Sequence, residues 1–571
     1  MRSSPILALA LLLPLLASPA FGAPADDPRP IVPASEILAK IERGEPVEYD
    51  GVIVVGDLDL SGLDLPTKHV ERTKFDEEVM VVESLIHITN SEIRGDVDFS
   101  DIIFQQQVIF SDPVSKNNIY LEIPQPYKEI PSEEILFDGS IFPPFEILPK
   151  IGTSGGSQTQ FSGYADFSGA QFSHGASFLA AQFSGKADFR WAQFDGEADF
   201  CEAQFSGYAD FREAQFSSYA WFFVTQFDGA ADFTWAQFSS YAWFYEAQFG
   251  GAADFTCAQF DGKANFEAQF DGEVDFRWAQ FSSYARFYEA QFGGGASFRW
   301  AQFDGAAYFT GSQFNSYASF IGAQFSDDAY FTWAQFNGDA GFGRANFSDD
   351  AEFREADFSG DAVSFEDSSF YHANLTLEDA KNIRILRLSN SAFENESAIC
   401  LNGTEYERLY VRWDSIESAL VYNGEVYLTL VKNFKTVEYF EDADDCYYQY
   451  RRERQSMRSW FEVATYTDIF GWVTCGYGVR PGYTLLLGLF VVLVSAVYYW
   501  RKDAIRRLKG DEDESAKFSD AFYFSMMTFT TVGYGDWYPL DRHRNVVMIE
   551  GIVGWLTLSL FLVTLANVII R

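Results

Sequence analysis

Phenylalanines recur at 167, 172, 178, 183, 189, 194, 200, 205, 211, 216 and 222, in steps alternating between five and six residues. The rhythm continues to Phe358 with one shortened step, from Phe266 to Phe270. Ile93, Phe99, Phe104 and Phe110 keep the same steps, so one repeating body is predicted over residues 51–375. A Pro-rich excursion, residues 111–160, interrupts it. An 11-residue period also suits a right-handed coiled coil, but steps of five and six scatter the rings around a helix, and Gly recurs at nearly every turn. Each Ala-x-Phe instead predicts one short side of a β-solenoid. Ala and Phe point inward, and Asp, Gln, Ser and Gly take the outer face and corners. Two 11-residue units then make a coil, in keeping with Trp278 and Trp300, which stand 22 residues apart. With strands stacked about 4.8 Å apart, residues 161–375 form a rod of about ten coils and roughly 45–50 Å. Stacked rings make its stability nearly a sum of neighbour terms.

The pattern changes at the C-terminal end. Tyr483–Trp500 is an uncharged run long enough to cross a bilayer core of about 30 Å, and a second apolar run, 545–570, is broken only by Glu550. Between them Ser519-Asp520 caps a short helix, 519–530. Such a helix is about half a membrane thick, so it is re-entrant, and its C-terminal end favours a cation. It runs into Thr530-Thr531-Val532-Gly533-Tyr534-Gly535-Asp536. Gly533 and Gly535 permit backbone angles that point successive carbonyls to one side, where they replace the water shell of a bare cation. Thr531 adds a hydroxyl oxygen, Val532 and Tyr534 pack behind the strand, and Asp536 concentrates cations at the mouth. Thr530 supports the helix end. Glu550, ionisable at membrane depth, is expected to face protein or water and to bond behind the short helix.

Span, short helix, Thr-Val-Gly-Tyr-Gly-Asp and second span resemble the two-transmembrane potassium-channel pore module, over residues 481–571. The resemblance implies a homotetramer in which carbonyls of Thr531, Val532, Gly533 and Tyr534 hold K+, with Gly554 as gating hinge and Gly551 as its competitor. It implies no cofactor beyond the permeant ion. The Ala-x-Phe body is similar to the pentapeptide-repeat family, a right-handed quadrilateral β-helix. The fold class is thus multi-domain: a β-helix followed by an α-helical two-span membrane pore module with a re-entrant helix.

Residues 1–22 carry Arg2, an apolar run and small residues suited to cleavage before Ala23, which predicts a secretory signal. Residues 23–50 are expected to cap the β-helix. Residues 376–459 lose the repeat and read as a linker domain. In it Leu377–Leu388 suits a capping helix, Ala419–Lys435 mixed amphipathic structure, and Tyr447–Arg458 the start of a basic helix. Residues 460–480 are amphipathic enough to lie at the bilayer surface. Cys400 and Cys446 form a disulfide or remain two free thiols; the sequence leaves both open.

The 571 residues carry a net charge of −41, too acidic for a nucleic-acid partner. No nucleophile–base pair, metal-ligand spacing or phosphate loop stands out, so an enzyme is not expected. The leading expectation is a potassium-selective channel subunit of the cell membrane, with the bilayer, K+ and its own copies as partners. The β-helix acts as sensor or scaffold and has no readable partner. The competing reading is a membrane-anchored surface or interaction protein with a non-conducting pore module. A cleaved signal exports the rod and inverts the pore; a third crossing by residues 460–479 or a cytoplasmic rod restores the usual direction. The basic cluster Arg501, Lys502, Arg506, Arg507 and Lys509 favours the exported rod.

Overall fold

The computed structural model describes residues 29–72, 75–110, 118–119, 148–149, 159–459, 462–508 and 515–569. The expected signal segment lies outside the described residues. Four sheets, one with thirteen strands and three with fourteen, wrap a four-sided solenoid; all their pairs are parallel except the Thr67–Arg72 and Phe75–Val82 hairpin. Most strands inside the repeat are two residues long. In the coil 187–205, for example, Ala187, Phe189, Ala192, Phe194, Ala198, Phe200, Ala203 and Phe205 are all fully buried. Rings on successive coils lie face to face: Phe189 and Phe211 are 4.8 Å apart and 2° from parallel. This continuous stack is the fold's main apolar core.

The outer positions are built as turns. In the Ala-Asp strands each Asp side chain accepts the backbone N–H two residues on, as Asp166 does from Ser168 at 2.9 Å and Asp254 from Thr256 at 2.8 Å. The turn that follows places a residue at positive φ, among them Trp191, Glu213 and Trp235. Aspartate here is thus a turn-former that closes a corner.

The Pro-rich excursion leaves the stack undisturbed. Phe104 pairs with Phe172 and Val108 with Ala176, so the coils before and after it lie in direct register. The shortened step is absorbed in one coil, where Gln248 pairs with Gln269 and not at the usual interval of 22 seen between Gln182 and Gln204.

Both predicted ends of the solenoid are corrected. Ile31–Pro33 and Val47–Asp50 already join its sheets, and helix α1 (Ala34–Glu42) closes the end with buried Ala34, Ile37 and Ile41. At the other end Leu377–Leu388 is not a capping helix. Ile383–Arg387 is a strand paired with Val363–Ser364 and Tyr406–Tyr410, so the solenoid runs to Tyr410. Inward Ile383, Leu386 and Leu388 replace phenylalanine, and the exposed edge of the preceding coil templates them as strand despite their helical spacing.

Helices α2 (Trp413–Ile416), α3 (Gly424–Thr436) and α4 (Phe440–Ser456) close this end. Asn423 caps α3 by accepting from Glu425 N at 2.9 Å. Helix α4 begins seven residues before the basic stretch expected to open it. Phe434, Cys446 and Tyr450 belong to the same apolar core as Val32, so rod and α3–α4 form one packed body. All five cysteines are free thiols. Cys446 is buried with its thiol toward the Tyr427 carbonyl at 3.6 Å.

The expected single helix over 460–480 is broken. Helix α5 (Val463–Cys475) stops at Gly476, and Gly476, Tyr477 and Gly478 all take positive φ in a tight elbow. At thirteen residues α5 is about 20 Å long, too short for the third crossing considered above. Helices α6 (Pro481–Arg501), α7 (Phe518–Phe529) and α8 (Arg544–Ile569) follow. Among the described residues α6 and α8 are the two helices long and apolar enough to span a membrane.

Candidate functional site: the pore module

Helix α7 starts one residue before the expected position. Lys517 is its N-cap, and Asp520 reaches back to accept Lys517 N at 3.0 Å. It packs between α6 and α8, and the Gly533–Tyr534 segment follows its C-terminal end. Thr530 caps that end with its hydroxyl on the Met526 carbonyl at 2.7 Å, while Val532 N reaches the Met527 carbonyl at 3.1 Å.

Residues Thr531, Gly533 and Gly535 have φ of 57°, 51° and 70°, whereas Val532 and Tyr534 are absent from the left-handed set. In an ordinary strand successive carbonyls alternate sides. Alternating the sign of φ residue by residue turns them toward one side. Glycine supplies this without strain at two positions, and Thr531, β-branched, is held there against its preference. The segment Thr531–Asp536 is exposed on its own chain, and Val532 and Tyr534 are 55% and 71% exposed. The backing expected for these two side chains is therefore not made within this chain.

The end of the Thr531–Asp536 segment is held by a feature the sequence did not reveal. Ile505–Arg507, just past α6, pairs antiparallel with Trp537–Pro539, and Leu508 N donates to the Asp536 carbonyl at 2.8 Å. The β-ladder thus grips the chain at the first residue after Gly535. A short register, Arg507 opposite Trp537, separates these partners by thirty residues, beyond any local signal.

Glu550 lies against α7 and is 3% exposed. Tyr499 of α6 donates to it at 2.5 Å, and the Ser525 hydroxyl of α7 contacts the same carboxyl group while lying 2.9 Å from the Val492 carbonyl. One carboxyl group therefore ties all three helices together. Tyr499 also meets the Phe524 ring edge-on at 5.2 Å.

The two candidate hinge glycines differ in surroundings. A Cβ on Gly554 would fall 2.2 Å from the Phe529 carbonyl oxygen, whereas one on Gly551 meets only the Thr528 carbonyl at 3.8 Å. Gly488 of α6 lies against the Phe529 ring, at 3.0 Å from an added Cβ. Phe529, the last residue of α7, is thus seated between two glycines, and absence of a side chain at 554 is required by packing.

The rod meets this module through polar groups. Asp468 of α5 is buried, and Arg451 and Arg458 each donate to it at 2.5 Å. The Arg452 guanidinium lies 4.2 Å from the Trp472 ring, and Trp472 Nε1 donates to Tyr448 at 2.9 Å. The other face of α5, Val463, Tyr466, Phe470 and Val473, is exposed and apolar, as a bilayer-surface helix requires. The elbow at Gly478 approaches Asn567 near the end of α8. Rod and Asp536 therefore lie at opposite ends of the spans.

Residues 486–571 match the family model described as ion channel, and residues 167–215 and 301–346 match the one described as pentapeptide repeats. No curated protein and no solved structure matches the chain. Family matches, paired spans and stacked coils agree: the chain carries an ion channel domain at its C-terminal end, behind a β-solenoid of pentapeptide repeats.

Proposed function

We propose that this membrane protein is the subunit of a tetrameric, potassium-selective channel. The observation that carries the reading is the alternation of φ along Thr531–Gly535 at the end of a short helix held between two spans. Four such segments around one axis form rings of carbonyl oxygens from Thr531, Val532, Gly533 and Tyr534. These take the place of water around K+. Exposure of Val532 and Tyr534 supports the assembly, since a neighbouring subunit is what remains to cover them. Asp536 stands at the mouth, and the C-terminal end of α7 points its partial negative charge toward the ion path.

The rod serves as sensor or scaffold at the opposite end. Its terminal helix grips α5, and the elbow after α5 adjoins the end of α8, where inner helices converge. Gly551, where an added Cβ would make only an ordinary contact, is the better bending point, and Gly554 docks α7. Export of the rod places Asp536 on the cytoplasmic side.

Purified full-length protein in proteoliposomes tests this. Passive K+ flux with Na+ largely excluded is expected, and equal Na+ and K+ flux contradicts selectivity. Absence of any cation flux favours a surface protein with a silent pore module.

A further inference from the structure

One corner of the solenoid carries a ridge with one residue per coil over Glu289, Gly311, Trp333 and Glu355, all at positive φ. The ridge is notched at Gly311. The Glu289 stem leans toward it, with Cγ 3.2 Å from where a Gly311 Cβ would lie. An opening of about 310 Å³ remains between Glu289 and Trp333, floored by Thr310, Gly311 and Gln313. A second, of about 570 Å³, lies on the far side of Trp333 and is bounded by Glu355, Asp357, Asp379 and Lys381. Both openings share the Trp333 indole, which is 40% exposed.

Trp333 differs from Trp191, Trp278 and Trp300, and shares with Trp235 the lack of a cationic or aromatic neighbour among the described residues. The Arg190 guanidinium lies 5.2 Å from the Trp191 ring, and Trp278 stacks on Trp300 at 5.5 Å. Among the described residues the Trp333 ring has neither a cationic nor an aromatic partner, and Glu289 and Glu355 form no ion pair. Only Asp357 is partly neutralised, by Lys381 at 3.6 Å.

An open indole face flanked by unpaired carboxylates attracts a cation and repels an anion. The ring quadrupole favours a weakly hydrated charge, and indole is the best of the aromatic faces for it. We propose that the notch at Trp333 binds a small organic cation bearing a quaternary or methylated ammonium group. The ammonium rests on the indole, with Glu289 on one side and Glu355 on the other. The site stands on the rod alone and does not depend on whether the pore conducts.

Choline chloride is the probe, titrated calorimetrically into full-length protein at physiological ionic strength, with glucose as a neutral comparison. Saturable binding of one choline per chain is expected, with no glucose binding. Trp333→Ala should weaken it about tenfold and Trp333→Phe less, since a smaller ring keeps part of the attraction. Glu289→Gln should weaken it several-fold, and Trp191→Ala should leave it unchanged. Absence of saturable binding overturns the proposal. So does choline binding that is the same in Trp333→Ala, which is only the general attraction of an acidic protein for cations. Glucose binding lost in Trp333→Ala also overturns it, because the notch is then a sugar site.

Discussion

The α-carbon of Gly554 faces the Phe529 carbonyl so closely that an added methyl group would fall 2.2 Å from that oxygen. Helices α8 and α7 therefore meet backbone to backbone, directly before the segment that begins at Thr530. Gly554→Ala is expected to destabilise the pore module by about 3 kcal/mol, the upper end for overpacking, because the obstructing atom is main chain and cannot swing away. Gly551→Ala should cost little stability and reduce opening. Thermal unfolding in detergent beside flux from proteoliposomes separates the two, and equal behaviour of the variants contradicts the assignment.

Tyr499→Phe removes one of the hydroxyls on buried Glu550 without changing shape. Leaving a buried carboxyl group short of a donor costs about 1–3 kcal/mol. The expected outcome is a lower melting temperature for the membrane module, with the solenoid's own transition unmoved.

Asp468→Asn tests the joint between rod and pore. Arg451 and Arg458 lose their shared buried partner, at a cost of up to about 3 kcal/mol, since both guanidiniums keep some access to water. Trypsin should then cut faster at Arg458, while circular dichroism of the solenoid stays the same. Unchanged cleavage would mean that the aromatic contacts of Trp472 hold α5 by themselves.

Phe233 stacks on Phe211 and Phe255 at 4.8 and 4.9 Å and is fully buried. Phe233→Ala should cost about 3–5 kcal/mol. In a one-dimensional stack that loss concentrates in adjoining coils. Hydrogen exchange should accelerate around residues 205–260 and remain slow near both capped ends.

Asp188 gives the rod an acid limit. Burial pushes its carboxyl group up, but hydrogen bonds from Arg190 and Lys186 outweigh burial and hold it at about 2. A depressed folded-state value stabilises the fold above the ordinary carboxylate range, and that stability is lost as pH falls toward 2. Arg190→Gln should bring this loss to higher pH, measurable as a shift in acid unfolding of the rod.

Much of this was legible in the chain. Alternating steps between Phe167 and Phe358 fix which side chains point inward, so coil and core followed from spacing. The run from Thr530 to Asp536 between two apolar spans pointed to the pore. Where Phe gives way to Ile383, Leu386 and Leu388, the local pattern equally suits a helix, and only the edge of the preceding coil decides for strand. Other features depend on distance in three dimensions. Neither the backbone contact of Gly554 with Phe529 nor the pairing of Arg507 with Trp537 leaves a mark on local sequence. Asp468 reads as a polar interruption of an amphipathic helix until α4 brings two arginines to it.

In the proposed channel, four copies of Thr531–Tyr534 surround one axis and coordinate dehydrated K+ through main-chain oxygens. Crystals or grids of the intact protein prepared in Rb+ or Tl+ test it most directly. A row of heavy-ion density is expected on a fourfold axis, level with the carbonyls of Thr531, Val532, Gly533 and Tyr534. Segments lying apart from any shared axis, or an axis without ions between those carbonyls, would contradict it.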